Sequence, residues 1–213
     1  MRAALPDCRI YLVVAVGAAS PAPHELARHL RQADVASVLL RMTGPGLVGP
    51  TQLGDLIKAV QSQDVAALIE DDGRLAAALG ADGVHLSEAA DDDGAMRAYA
   101  SAREALGTQA IVGAAAGLSR HQAMVLGELG ADYVAFGHAG APDNGAHRLE
   151  LITWWAELFE PPCIAWDVAT PHEAEALATA GADFIAAPVG AMTAMADTLA
   201  WLRAATTKTG AAP

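Results

Sequence analysis

One phrase occurs three times in this chain: Gly-Ala-Asp followed by a short apolar run. The copies are Gly80-Ala81-Asp82-Gly83-Val84-His85-Leu86, Gly130-Ala131-Asp132-Tyr133-Val134-Ala135-Phe136 and Gly181-Ala182-Asp183-Phe184-Ile185-Ala186-Ala187. Each one ends an alanine-rich amphipathic stretch at a glycine, where a left-handed C-cap is cheap, and goes on with residues of strand character. Each is therefore a helix-to-strand corner. The copies begin about 50 residues apart, and since a βα unit takes roughly 25 to 30 residues, two units fit in each interval. That period predicts a closed (β/α)8 barrel.

The chain of 213 residues, 53% hydrophobic and 18% charged, is long enough to bury a large single core. Its longest apolar run, Ile10 to Ala19, is too short to cross a bilayer, and Arg2, Asp7 and Arg9 are too mixed in charge for a signal-peptide n-region. A cytosolic protein is expected. The net charge of −12 argues against a nucleic-acid partner, because neutralising phosphates needs clustered Lys and Arg. The expected partner is a small ligand, with no nucleic acid and no membrane, and the oligomeric state stays open. Cys8 and Cys163 lie far apart with no His or Cys at metal-ligand spacing, so they read as buried small hydrophobes. Lys58 falls in a predicted helix and Lys208 in the polar tail, which leaves no lysine at a predicted strand end. Schiff-base chemistry and a P-loop are both excluded by that.

Apolar runs predict strands near 10–16, 36–42, 65–70, 82–86, 110–114, 132–136, 163–166 and 183–187. Ser20-Pro21 opens the first helix, to about Gln32, and Pro50 opens the second, with Leu53, Leu56, Ile57 and Val60 on one face. Asp91-Asp92-Asp93 suits the positive end of the fourth helix, and Ser119 sits where the N-cap of the fifth belongs. Leu149 to Phe159 forms the sixth helix, whose Trp154 and Trp155 pack against the barrel. Met192 to Ala204 is the last, so one barrel domain covers 1–204 and a flexible tail covers 205–213. An open doubly wound sheet is the competing architecture, but no G-x-G-x-x-G follows the first strand.

In a barrel of this kind the ligand site lies at the carboxyl ends of the strands. The residues that converge there are Arg41, Glu70 with Asp71, Ser87 with Glu88, Ser119, His138 and Asp167. Adjacent carboxylates at Glu70-Asp71 could hold Mg²⁺ together with a ligand's phosphates, or cap the helix that follows. Ser119 could cap its helix or touch a ligand. The loop from Gly137 to about His147 is long and rich in Gly, Pro, Asp and Asn, a composition that goes with functional loops.

These residues resemble the family of thiamine phosphate synthase and the thiazole tautomerase TenI, both (β/α)8 barrels. Ile69-Glu70-Asp71 is similar to the family's Ile-Asn-Asp, the segments 80–86 and 130–137 match nearly verbatim, and Gly117-Leu118-Ser119-Arg120-His121 is similar to Gly-Val-Ser-x-His. The resemblance implies thiamine biosynthesis, with a phosphorylated thiazole or pyrimidine as ligand. It implies a metal role for Asp71 toward Mg²⁺, substrate contacts from Arg41 and Glu70, and a catalytic role for Ser119. The second metal-binding aspartate of the synthase falls on Ala90, and its strand-two Gln and Lys become Leu39 and Thr43. The Ile-Gly-Gly-Ile phosphate turn becomes Trp166-Asp167-Val168-Ala169, which leaves Gly190 and the start of the last helix as the phosphate cradle.

Phe136-Gly137-His138 reproduces the phrase in which TenI carries its proton-shuttling histidine. Aromatising tautomerisation needs a group that gives and takes a proton near neutrality, which suits imidazole, and it needs no diphosphate pocket. The resemblance thus favours TenI-like proton transfer with His138 as catalyst over efficient synthase chemistry. A synthase with a rebuilt diphosphate site and a non-catalytic barrel binding a thiamine precursor or partner are the alternatives.

Overall fold

The computed structural model describes residues 8–17, 20–43, 48–137, 145–168, 170–189 and 192–207. Strand and helix alternate without exception: β1 (Arg9–Val16), α1 (Pro23–Leu30), β2 (Val35–Met42), α2 (Pro50–Gln61), β3 (Ala66–Glu70), α3 (Gly73–Leu79), β4 (Gly83–Leu86) and α4 (Asp92–Leu106) form the first half. The second half is β5 (Ile111–Gly117), α5 (Arg120–Glu128), β6 (Val134–Phe136), α6 (Gly145–Leu158), β7 (Cys163–Ala165), α7 (Pro171–Thr179), β8 (Phe184–Val189) and α8 (Met192–Thr207). The strands are all parallel and close in chain order, β8 pairing back onto β1. The chain is a (β/α)8 barrel.

Both faces of each strand are buried, which is why the strands read as continuous apolar runs in place of alternating ones. The two faces still pack against different partners. Tyr11, Val13, Leu39, Leu68, Tyr133, Ala135, Ile164, Trp166 and Ala186 fill the barrel interior. Their immediate neighbours, among them Ile10, Leu12, Leu40, Ile69, Val134, Ala165 and Ile185, belong to the core between strands and helices. Trp155 of α6 is fully buried in that outer layer and stacks on Phe159 at 4.2 Å.

The repeated phrase has a structural job. Asp82 accepts a hydrogen bond from the Ala67 backbone N–H at 2.7 Å, Asp132 from that of Val112 at 2.7 Å, and Asp183 from that of Cys163 at 2.8 Å. The backbone N–H of each aspartate donates to the carbonyl of that same residue, at 2.9, 3.0 and 3.0 Å. Each aspartate thus grips both backbone groups of one residue on the preceding strand and pins the register of β4, β6 and β8 at the amino end of the barrel, remote from the ligand mouth. The preceding glycines take φ values of 70°, 87° and 106° at Gly80, Gly130 and Gly181, conformations that cost a side chain energy. A degenerate fourth copy, Gln32-Ala33-Asp34, leads β2, where the Asp34 carboxylate takes the Arg9 guanidinium at 2.7 Å.

Several boundaries differ from expectation. α1 starts at Pro23, because Ala22 precedes a proline and is held extended at ψ 140°, while Ser20 turns back to bond Gly17 in place of capping a helix. α6 starts at Gly145, ahead of the expected Leu149, and α8 continues through Thr207, beyond Ala204. Cys8 and Cys163 are both buried thiols, and burial raises that of Cys8 to about 12, with the Asp183 charge adding to it. No described helix is long and apolar enough to cross a membrane.

Candidate active site at the barrel mouth

The barrel interior carries a ladder of polar aromatic side chains. Tyr11 from β1 and Tyr133 at the foot of β6 bring their hydroxyls to 3.0 Å, and the Tyr133 hydroxyl lies 2.9 Å from His85 Nδ1. Gly113 makes this possible, since a Cβ there would fall 1.9 Å from the Tyr133 ring. His85 then stacks face to face on Trp166, with centroids 4.4 Å apart and an interplanar angle of 1°. Above the indole, the Arg41 guanidinium carbon sits 5.5 Å from the ring centroid. The ladder rises from the closed interior to the open carboxyl end.

Burial sets the protonation of these groups. It lowers the His85 imidazole to about 3, with the positive Arg41 adding to the effect, so the ring is neutral at physiological pH. Burial likewise pushes the Tyr11 and Tyr133 hydroxyls up, so both stay protonated. His85 therefore serves as one donor and one acceptor, fixed through Nδ1 by Tyr133.

The mouth is a cavity of about 260 Å³ bordered by Arg41, His85, Ser87, Glu88, Gly137 and Trp166. Its one described cation is engaged. Arg41 Nε donates to the two oxygens of Glu70 at 2.8 and 3.0 Å, and Nη2 lies 2.7 Å from Oε1. Ser87 Oγ donates to the same carboxylate at 3.4 Å. The wall behind Trp166 is braced by Arg148 of α6, a buried residue that donates to the Trp166 carbonyl and pairs with Glu173 of α7. Gly137, at φ 134°, lets β6 approach that same carbonyl so closely that a Cβ would stand 2.8 Å from it.

The expected site residues are distributed unevenly. Arg41 borders the cavity and Glu70 reaches it through Arg41. Asp71, in a left-handed conformation at φ 57°, accepts from the Ser87 backbone N–H at 2.7 Å and borders a second cleft with Arg74 between α3 and α4. Asp71 lies just past the end of β3, and both carboxylates meet Ser87, that of Asp71 at the backbone N–H and that of Glu70 at the hydroxyl, 3.4 Å away. Ser119 caps α5, accepting from the Gln122 N–H at 3.2 Å, and does not border the mouth among the described residues. Asp72 and Asp91 cap α3 and α4 in the same way. His138 and Gly190 lie outside the described residues.

The donors present do not fit a resident magnesium ion. Glu70 is occupied by Arg41, Asp71 accepts from the Ser87 backbone N–H, and no group of three or more His, Cys, Asp or Glu among the described residues could hold a metal. Sequence reading also passed over His85, Tyr133 and Tyr11, and it met Trp166 only as an interruption of the phosphate turn. Parity was the available signal: Tyr133, Ala135 and Gly137, and likewise Ile164 and Trp166, alternate along one face.

A family profile described as thiamine monophosphate synthase matches residues 10–190. The chain belongs to the thiamine monophosphate synthase family. It is 39% identical over 208 residues to a thiamine-phosphate synthase of Rhodospirillum centenum, covering 91% of this chain and 97% of that one. It is 37% identical to the thiamine-phosphate synthase of Erythrobacter litoralis, over 84% of this chain and 85% of that one. Thiamine phosphate pyrophosphorylase from Pyrococcus furiosus superposes with a TM-score of 0.72 at 20% identity, over 94% of this chain and 96% of that structure. At that identity the likeness is one of fold. A geranylgeranylglyceryl phosphate synthase of Thermoplasma volcanium superposes almost as well, at 0.68, so the barrel alone does not select among family chemistries.

Proposed function

We propose that this member of the thiamine monophosphate synthase family acts in thiamine biosynthesis on a phosphorylated thiazole whose planar ring lies against Trp166 in the barrel mouth. The observation that carries the reading is the Trp166 indole, backed by His85 at 4.4 Å and bordering the cavity beneath Arg41. A flat, polarisable surface with a cation beside it suits an electron-rich heteroaromatic ring. The phosphate is assigned to Gly190 and the start of α8, where backbone N–H groups at a helix start favour an anion.

The reaction favoured is proton transfer on the ring. It requires one proton carrier near neutral pH and no seat for a diphosphate. Gly137 borders the cavity and His138 follows it in the chain, which supports His138 as that carrier. His85 is less suited to the role because its ring stays neutral down to about pH 3.

A second reading rests on the relatives named thiamine-phosphate synthase. In it the chain joins hydroxymethylpyrimidine diphosphate to thiazole phosphate. That reaction needs cations on the leaving diphosphate, so Arg41 would have to leave Glu70. Mg²⁺ belongs to this reading alone, and would enter weakly, with the substrate's own phosphate oxygens supplying most of its ligands.

The test runs two assays on the same preparation: proton exchange into thiazole phosphate in D₂O, and thiamine phosphate formation from both substrates with Mg²⁺. Exchange without coupling supports the proposal. Efficient coupling overturns it in favour of the synthase, and saturable binding with neither turnover overturns it in favour of a binding barrel.

A further inference from the structure

We propose that Glu70 is a built-in anion that sets the specificity of the mouth: it occupies the Nε/Nη2 edge of Arg41 and so turns away a diphosphate at that edge while admitting an uncharged ring beside it. The inference rests on the reading of the mouth as the ligand site. It concerns what can bind there and not what is turned over.

The pair is part of the barrel wall. β2 and β3 run parallel with Leu39 opposite Leu68 and Leu40 opposite Ile69, so Arg41 and Glu70 follow as the next neighbours in register. Neither residue has to search for the other. Arg41 spends Nε on both carboxylate oxygens and Nη2 on one of them, which uses the guanidinium edge that grips paired phosphate oxygens best. Ser87 Oγ donates to the same carboxylate oxygen, Oε1, at 3.4 Å. With 24% and 17% of the two side chains exposed, solvent screens the pair only in part.

The charge around the pair points the same way. Glu88 puts a carboxylate on the cavity border, and His85 contributes no positive charge because it is neutral. A diphosphate brought to Arg41 would lie within a few ångströms of the Glu70 carboxylate, at a distance where like charges in a partly dehydrated site repel strongly. A thiazole or pyrimidine ring bearing an uncharged substituent meets no such repulsion. Arg41 can then keep its place over Trp166 and act on the ring.

The experiment titrates inorganic pyrophosphate, without metal, into the wild-type protein and into Glu70→Gln, Glu70→Asp and Glu70→Gln/Arg41→Met, by calorimetry. Glu70→Gln should bind pyrophosphate about tenfold or more tighter than wild type, and the added Arg41→Met change should remove the gain. Glu70→Asp keeps the negative charge and should stay close to wild type. Pyrophosphate affinity in Glu70→Gln within about threefold of wild type would overturn the proposal, as would an equal gain in Glu70→Asp. If Glu70→Gln does not fold, the wild type still decides: pyrophosphate should bind no more tightly than inorganic phosphate, and clearly tighter binding contradicts an occupied seat. Because no turnover is read, an inactive enzyme leaves this titration interpretable, and a failed titration leaves the proton-exchange assay standing.

Discussion

His85 and Trp166 lie face to face, ring centroids 4.4 Å apart and 1° from parallel, with the imidazole locked from below by the Tyr133 hydroxyl at 2.9 Å. The floor of the mouth is therefore preorganised. An indole stacked on a hydrogen-bonded ring and covered by Arg41 has little freedom of its own, so a ligand ring that meets it at the cavity border loses little further entropy.

Trp166→Ala should weaken thiazole phosphate binding by about tenfold or more, since an aromatic contact is worth about 0.5–1.5 kcal/mol beyond the area it buries. Trp166→Phe should keep most of the affinity. Ligand titration by calorimetry checks both, and an unchanged affinity in Trp166→Ala would remove the indole from the site.

His85 makes the stability of the barrel depend on pH. Its ring ionises near pH 3 when folded, against 6.5 ordinarily, so below about 6.5 the unfolded chain takes up a proton that the folded chain does not. The contribution of this group is complete above pH 6.5 and declines by about 1.4 kcal/mol per pH unit as pH falls toward 3. Urea melts between about pH 6.5 and 5, where carboxylates contribute little, should show this slope in wild type and a flatter one in His85→Gln.

Gly113→Ala should be among the most damaging single-methyl changes in the chain. The new Cβ would meet the Tyr133 ring at 1.9 Å, and that ring is held by Tyr11 and His85 and has no free rotamer to escape into. A cost at or above the usual overpacking range of about 1–3 kcal/mol is expected, read as a lower Tm.

Asp132→Ala leaves the Val112 backbone N–H without its partner and should cost about 1–3 kcal/mol. It also frees Arg103, which lies 2.5 Å from the same carboxylate. Asp132→Asn retains an acceptor oxygen and should be milder. Turnover per folded molecule should stay unchanged in both, because this end of the barrel is opposite the mouth.

His138→Ala should reduce proton exchange on thiazole phosphate by about 10²- to 10⁴-fold while leaving its affinity nearly intact. Exchange at the wild-type rate would end the assignment of His138 as the proton carrier.

The Gly-Ala-Asp repeat, read from sequence, determined the barrel and the helix-to-strand corners at 80–86, 130–136 and 181–187. It could do so because each copy is a local device: a left-handed glycine, a side-chain hook and a strand start lie within a few residues. The caps at Asp91 and Ser119 were legible for the same reason. The tertiary structure alone decided the mouth. Glu70 and Asp71 are adjacent in the chain, yet Glu70 pairs with Arg41 of the neighbouring strand while the left-handed turn at Asp71 puts its carboxylate on the Ser87 backbone N–H. His85, Tyr133, Tyr11 and Trp166 come from four strands or strand ends separated by up to 155 positions, and only closure of the barrel stacks them into one ladder. No local pattern can encode that contact, because it depends on how the strands are staggered around the barrel axis.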